Sequence, residues 1–345
     1  MLHIHPLATK IIGGKNDNIV FVYDHMPEDP SHAIEYDYET GSVFIDQDYN
    51  TINPIIEKYN YQTSYIFGES YIKWNSLENF YPVPAYFLYE CEKFLKCNIG
   101  STDYTDSNRV ICMMNNPRPH RLLVSAWVKH NLDPTTVVYT QSWDENYDQH
   151  RTNLDELVRQ TEYQDLNTML PRNFLPFKNN SPETYSKGTS NAEIFFQLLQ
   201  PYYNSSTFSI ITEPSFYEKA AAITEKYLMS IYGCCFPIFC GGYGMADALT
   251  DIGFDVFPDL IDHSYQYIDH PTLRVLDALK LNKPLLTSNT IKKTDYIDRH
   301  MKNLQLVREG YTDLRDTLFK DIIKLSATVH INLVLREYHA LGFKF

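Results

Sequence analysis

Between residues 220 and 242 the chain reads AAAITEKYLMSIYGCCFPIFCGG, apolar on both sides of three consecutive polar positions. Tyr227, Leu228 and Ile231 recur at helical spacing, and Gly233 stands where a C-terminal cap belongs. Thr224 then falls at the N-cap, where its hydroxyl can accept from an orphan backbone N–H, and Glu225 and Lys226 fill the first turn. After Gly233 the apolar run CCFPIFCGG predicts a buried strand, with Pro237 near its start where a missing donor is tolerated. Its trailing glycines permit another group to approach the backbone closely.

Similar segments alternate along the rest of the chain. NIVFVYDHMPEDP predicts a buried strand from Ile19 to Tyr23 that ends in an acidic, proline-closed loop. GSVFIDQDY and QTSYIFGES predict two more strands, with a short helix after Pro54 between them. The polar, turn-rich DYTDSNR at 103 to 109 marks a domain boundary. A second unit follows: strand RVICMM, loop NNPRPHR, helix LLVSAWVKHNL and strand TTVVYTQSW. Residues 144 to 190 read as an irregular excursion. Helix AEIFFQLLQPYY, strand FSIITE, helix MADALTDIG and strand FDVFPDL come next, and from HPTLRVLDALKLN the pattern is largely helical to Phe345. Alternating strands and helices predict α/β layers. The expected division is 1–107, 108–290 and a helical tail over 291–345.

Composition narrows the class. The chain has 345 residues, 43% hydrophobic and 21% charged, a globular balance with length enough for two domains. Its formal net charge of −13 argues against a general nucleic-acid binder, which carries a basic face. Six cysteines form neither a CxxC pair nor a regular framework, so reduced, buried thiols are expected. No apolar run approaches the ~18 residues needed to span a bilayer. The N-terminus MLHIHPLATK lacks the apolar segment of a secretory signal. These features predict a cytoplasmic protein without a membrane partner.

Chemistry concentrates in two places. A glutamate in a first helical turn complements the helix dipole, whereas a lysine there is favourable only beside an anion. Free N–H groups, the dipole and Lys226 together suit a phosphate group. The other place is MMNNPRPHRLLVSAW, where Pro119 opens a helix and Arg118, His120 and Arg121 sit in a strand-to-helix turn. The carboxyl ends of strands in open α/β sheets are where ligands bind, and arginine's fork suits a diphosphate. Taken singly, the first also reads as an ordinary capped helix with a solvated lysine, and the second as a basic surface turn.

Together the pieces resemble the alpha-1,3-fucosyltransferases. SIITEPSFYEKAAAITEKYLMSIYGCCFPIFCGG is similar to that family's donor signature, which runs Phe-Glu-Asn-Ser, a spacer, Val-Thr-Glu-Lys-Leu, an apolar helix and a Pro-Val strand ending in Gly. NNPRPHRLLVSAW resembles its Asn-Pro-x-x-Pro-x-Arg segment, and SYIFGESYIKWNSLENFYPVPAYF more loosely resembles its acceptor-domain stretch. The order agrees, over about a quarter of the chain. The resemblance implies a GT-B fold, two Rossmann-like domains across a cleft, and metal-independent, inverting sugar transfer from a nucleotide-diphosphate sugar such as a UDP- or GDP-sugar. It places Arg121 and Lys226 on the donor diphosphate, with Arg118 nearby and Thr224 capping the helix. Glu225 would meet sugar or ribose hydroxyls, and Glu213 takes the place of the Phe-Glu-Asn-Ser glutamate. Pro214 replaces that motif's asparagine and the spacer to Thr224 is longer, so the base and sugar do not carry over. An acceptor-side carboxylate must take the hydroxyl proton. The candidates are Asp24 and Glu28 in VYDHMPEDP and Glu69 in FGES.

Two other classes compete. Asp46-x-Asp48 in VFIDQDYN has the pattern of metal-dependent GT-A glycosyltransferases, in which such a pair holds Mn²⁺ or Mg²⁺ with a diphosphate. The other is a nucleotide-binding protein without catalysis. The acceptor is open between a glycan, a small metabolite, a protein and a hydroxymethylated base in DNA. A Tyr-, Asn- and Asp-rich composition resembling that of phage proteins keeps the last in view. A duplex base would have to be flipped out to react.

Overall fold

The computed structural model describes residues 10–13, 19–24, 36–37, 42–43, 63–68, 80–82, 85–97, 104–114, 119–140, 190–213 and 223–308. In its N-terminal part the strands are β1 (Lys10–Gly13), β2 (Ile19–Asp24), β5 (Thr63–Gly68) and β6 (Phe80–Pro82). They form a sheet in the order β1-β2-β5-β6, parallel except for β1. Within the segment GSVFIDQDY the described residues form β4 (Ser42–Val43), paired with β3 (Tyr36–Asp37) in a separate ribbon. The helix expected after Pro54 lies outside the described residues.

A second sheet holds β7 (Val110–Met113), β8 (Val137–Thr140), β9 (Phe208–Thr212) and β10 (Phe236–Cys240). Its order is β10-β9-β7-β8 and every pairing is parallel. Every residue of β9 and β10 is buried, in keeping with the absence of charged side chains from FSIIT and FPIFC. Successive residues serve opposite faces. Val110, Cys112, Phe208, Ile210, Phe236 and Ile238 pack in one core with α2 (Pro119–Asn131) and α7 (Pro271–Leu281). Ile111, Ile211 and Phe239 pack in the other. That second core is closed by α1 (Ala85–Cys97), α5 (Glu225–Tyr232), α6 (Met245–Asp251) and α9 (Ile297–Arg308). The result is an α/β unit with helices on both faces of a parallel sheet. Helix α1 precedes residue 107, yet Phe87, Cys91 and Phe94 belong to this core.

Local deviations have local causes. The segment AEIFFQLLQPYY is helical as α3 (Asn191–Ile194) and α4 (Gln200–Asn204), joined by a π turn over Phe195–Leu199. Pro201 has no N–H to continue the α ladder, and the Gln200 N–H reaches back to the carbonyl of Phe195. Pro237 is tolerated in β10 because alternate N–H groups there face away from β9. The Phe239 N–H, two residues on, donates to the Tyr265 hydroxyl at 3.0 Å.

The expected strand FDVFPDL does not form. The Asn303 side chain takes its ladder contacts instead, accepting from the Asp255 N–H at 2.8 Å and donating to the Asp255 carbonyl at 2.7 Å. Phe257 has φ 59°, a left-handed conformation incompatible with a strand. Asp255 and Asp259 are both forked by Arg299, which binds this segment to α9. The expected helical tail appears as α7, α8 (Lys283–Leu286) and α9; residues 309–345 lie outside the described residues.

His300 on α9 is buried, with Nε2 lacking a hydrogen-bond partner among the described residues. Its ring lies 4.8 Å from that of Phe236 and 4.5 Å from that of Phe257. Burial first, and the Lys293 charge second, hold its pKa down at about 3 against an ordinary 6.5. Between those values the unfolded chain binds a proton that the folded chain refuses, so stability falls as pH drops through the window. His300→Leu is expected to lose less of its urea midpoint than the parent between about pH 7 and pH 5. Parallel losses in both proteins would assign the acid sensitivity to another group.

Candidate functional site

The carboxyl edge of the second sheet gathers the chemistry. From β7 the chain steps to β8 on one side, while β9 lies on the other side of β7. Connections leaving β7 and β9 therefore diverge, which makes the carboxyl ends of these two strands the switch point at which open α/β sheets bind ligands. Both sequence-predicted loops end there: α2 starts after β7, and α5 starts after β9. His120, in the first turn of α2, places Nε2 2.7 Å from the Glu213 carbonyl, so it ties the two connections together. A carbonyl only accepts, so Nε2 carries the proton in this contact.

Thr224 caps α5 as the spacing predicts, and Gly233 ends it. Its hydroxyl is used fully: it donates to Glu213 Oε2 at 2.5 Å and accepts from the Lys226 N–H at 3.4 Å and from Lys226 Nζ at 3.3 Å. Lys226 Nζ also lies 3.1 Å from Glu225 Oε1 and 3.8 Å from Glu213 Oε2. The Lys226 side chain is 15% exposed and that of Glu213 is fully buried. Gly241, just past β10, makes room for Glu213: a Cβ there would stand 3.0 Å from its Cβ and Cγ. Buried Arg274 on α7 holds this turn by donating from Nε to the Gly241 carbonyl at 3.0 Å.

Burial dominates the electrostatics of Glu213 and pushes its carboxyl up to about 7, against the opposing pull of Lys226, Thr224 and Arg121. Arg121 is 5% exposed and within charge reach of both Glu213 and Cys112. It is thus an interior cation rather than a fork standing in solvent.

One charged pair escaped the sequence reading. Glu90 on α1 is 1% exposed, accepts from Lys93 Nζ at 2.9 Å, and lies within charge reach of Glu225 and Lys226. Burial raises its pKa, with Lys93 opposing. The signal was available, because Phe87, Cys91 and Phe94 are buried at helical spacing and Glu90 occupies the same stripe.

The remaining candidates are less completely placed. Asp24 ends β2 opposite Gly68, at the carboxyl end of two parallel strands. Glu28, Glu69 and Arg118 lie outside the described residues, as do Asp46 and Asp48. Among the described residues no group of three or more His, Cys, Asp or Glu is arranged to hold a metal ion. No helix among them is long and apolar enough to cross a membrane.

A cavity of about 630 Å³ opens elsewhere, between α6 and residues 256–267. Asp247, Asp262, His263 and Gln266 line it, and none of the predicted site residues does. Its polar groups are occupied internally. Gln266 Oε1 accepts from the Ala246 and Asp247 N–H groups, and Asp247 accepts from Gln266 and Tyr267.

No protein-family model, curated protein or solved structure matches the chain, so the site stands on its own chemistry. That chemistry is two interior cations, a capped helix start and two acidic partners that balance them, at the carboxyl edge of a parallel sheet.

Proposed function

We propose that this protein is a glycosyltransferase of GT-B type, similar to the alpha-1,3-fucosyltransferases, which binds a nucleotide-diphosphate sugar at the β7–β9 switch point. The observation that carries the reading is the convergence of Lys226, Glu213 and Arg121 at the carboxyl edge of the parallel sheet, from connections 92 residues apart in sequence between Arg121 and Glu213. An acceptor hydroxyl oxygen attacks the anomeric carbon as the bond to the diphosphate oxygen breaks. Lys226, Arg121 and the start of α5 take up the charge that grows on the leaving diphosphate. The hydroxyl proton passes to an acceptor-side carboxylate, Asp24, Glu28 or Glu69. Lys226 and Arg121 supply the cationic charge that a divalent ion supplies in metal-dependent transfer. The acceptor is a glycan hydroxyl or a hydroxymethylated base.

Thermal shift against UDP-, GDP- and CDP-sugars, with and without EDTA, tests this reading. A ligand at about 100 times its Kd adds ~2.7 kcal/mol of stability, a clear shift in Tm. The expected result is a shift with one base class that EDTA leaves in place, followed by slow release of free sugar from that donor. No shift with any donor would sink the proposal. A shift that needs added Mn²⁺ or Mg²⁺ would move the chemistry to Asp46 and Asp48, and tight binding without sugar release would leave a nucleotide binder.

A further inference from the structure

Lys226 is already engaged within the chain. Its ammonium is shared among Glu225, Thr224 and Glu213, so an incoming diphosphate must compete with two carboxylates for one cation. Glu213 is the partner that cannot step aside. Its backbone carbonyl is fixed by His120, its Cβ and Cγ lie against Gly241, and Oε2 is held by Thr224. Oε1, however, is buried and has no hydrogen-bond partner among the described residues. A buried carboxylate oxygen without a donor is a costly arrangement, and a proton placed on it removes the charge and creates a donor.

Resting on the glycosyltransferase reading above, we propose that Glu213 serves the occupied site as a neutral carboxylic acid: donor binding takes up one proton on Oε1 and releases Lys226 to the diphosphate. The balance is simple. One proton enters from solvent with the ligand, no other bond is made or broken, and the ion pair to Glu213 is exchanged for one to phosphate. A second anion beside an ionised, buried Glu213 would be repelled, whereas a protonated one attracts it.

The charged and titratable groups facing Glu213 agree with this. Lys226 on α5, the Thr224 hydroxyl and Arg121 on α2 favour the ionised form, while burial and Glu225 oppose it, and burial is the largest influence. A diphosphate that draws the charge of Lys226 and Arg121 to itself leaves burial and Glu225 in control, and both favour the acid. Behind them Glu90 and Lys93 on α1 form their own pair. His120 donates to a backbone carbonyl, and the Cys112 thiol beside Arg121 is pushed up to about 12, so it stays protonated.

The test uses UDP-glucose, GDP-mannose and CDP-glucose, diphosphate diesters whose charge does not change near neutral pH. Calorimetry on the full chain in buffers of different ionisation enthalpy is expected to show uptake approaching one proton per ligand above pH ~8. Affinity is expected to weaken about tenfold per pH unit above pH ~7. Glu213→Gln, a neutral donor of the same shape, is expected to bind at high pH as tightly as the parent does at low pH, with the pH dependence gone. Binding without proton uptake, or a slope that persists in Glu213→Gln, overturns the proposal. Proton uptake in the parent decides the matter if that variant does not fold. Binding of none of the three diesters removes the anion-site reading itself, and this inference with it.

Discussion

Lys226→Ala is expected to cut sugar transfer by about 10²–10³-fold while circular dichroism and urea midpoint stay close to the parent's. The loss follows from position. The ammonium stands in the first turn of α5 within 3.8 Å of a buried carboxylate, where a cation aimed at growing charge acts in a low-dielectric setting. The fold should survive for an equally physical reason. Without Lys226, burial is opposed only by Thr224 and Arg121, so the Glu213 carboxyl takes a proton rather than remaining an uncompensated interior charge. Steady-state kinetics with the donor found by thermal shift, paired with the denaturation curve, is the measurement. Unchanged kcat and donor affinity would remove Lys226 from the site and leave α5 as an ordinary capped helix.

The second large effect concerns stability. Lys293 is completely buried and, among the described residues, faces no carboxylate within bonding distance; its ammonium donates to the carbonyls of Asn204 and Gly233 at 2.8 Å and of Tyr203 at 3.2 Å. Two of these close α4 and the third caps the end of α5, so one cation sits at the negative ends of two helix dipoles. Burial lowers its pKa, but three charge-assisted bonds hold the proton in place. Lys293→Met keeps the stem and deletes the donors, and it should destabilise the fold by roughly 2–4 kcal/mol, judged against ~1.5–3 kcal/mol for one hydrogen bond to a charged group. Urea denaturation near neutral pH checks this. A midpoint equal to or above the parent's would mean that the desolvation cost of the ammonium outweighs its bonds.

These two lysines also separate what could be read from the chain and what could not. Lys226 was legible because its surroundings are local. Thr224 at the cap, Tyr227, Leu228 and Ile231 on one face, and Gly233 at the end lie within ten consecutive residues, and the helix forms over those bounds. The buried strands at Phe208–Thr212 and Phe236–Cys240 were legible for the same reason, since unbroken apolar runs have few alternatives in a parallel sheet. Lys293 was opaque: its partners lie 60 to 90 residues away, and nothing in IKKTDY distinguishes it from a solvated lysine. FDVFPDL misled because its apolar alternation is a strand's, while its backbone groups are claimed by Asn303 from a distant helix. Glu90 lay between these cases, an acid on an apolar stripe whose meaning depends on what the stripe faces.

Local pattern by itself determined the α/β class, the principal strands and the cap that presents Glu225 and Lys226, because hydrogen-bonding needs and side-chain periodicity act over a few residues. The tertiary structure alone decided that β9 lies beside β7, that Glu213 and Arg121 meet there, and that Glu213 is buried deeply enough for its carboxyl to be pushed up to about 7. Strand order and desolvation arise from contacts between segments far apart in the chain, which no short window of residues encodes.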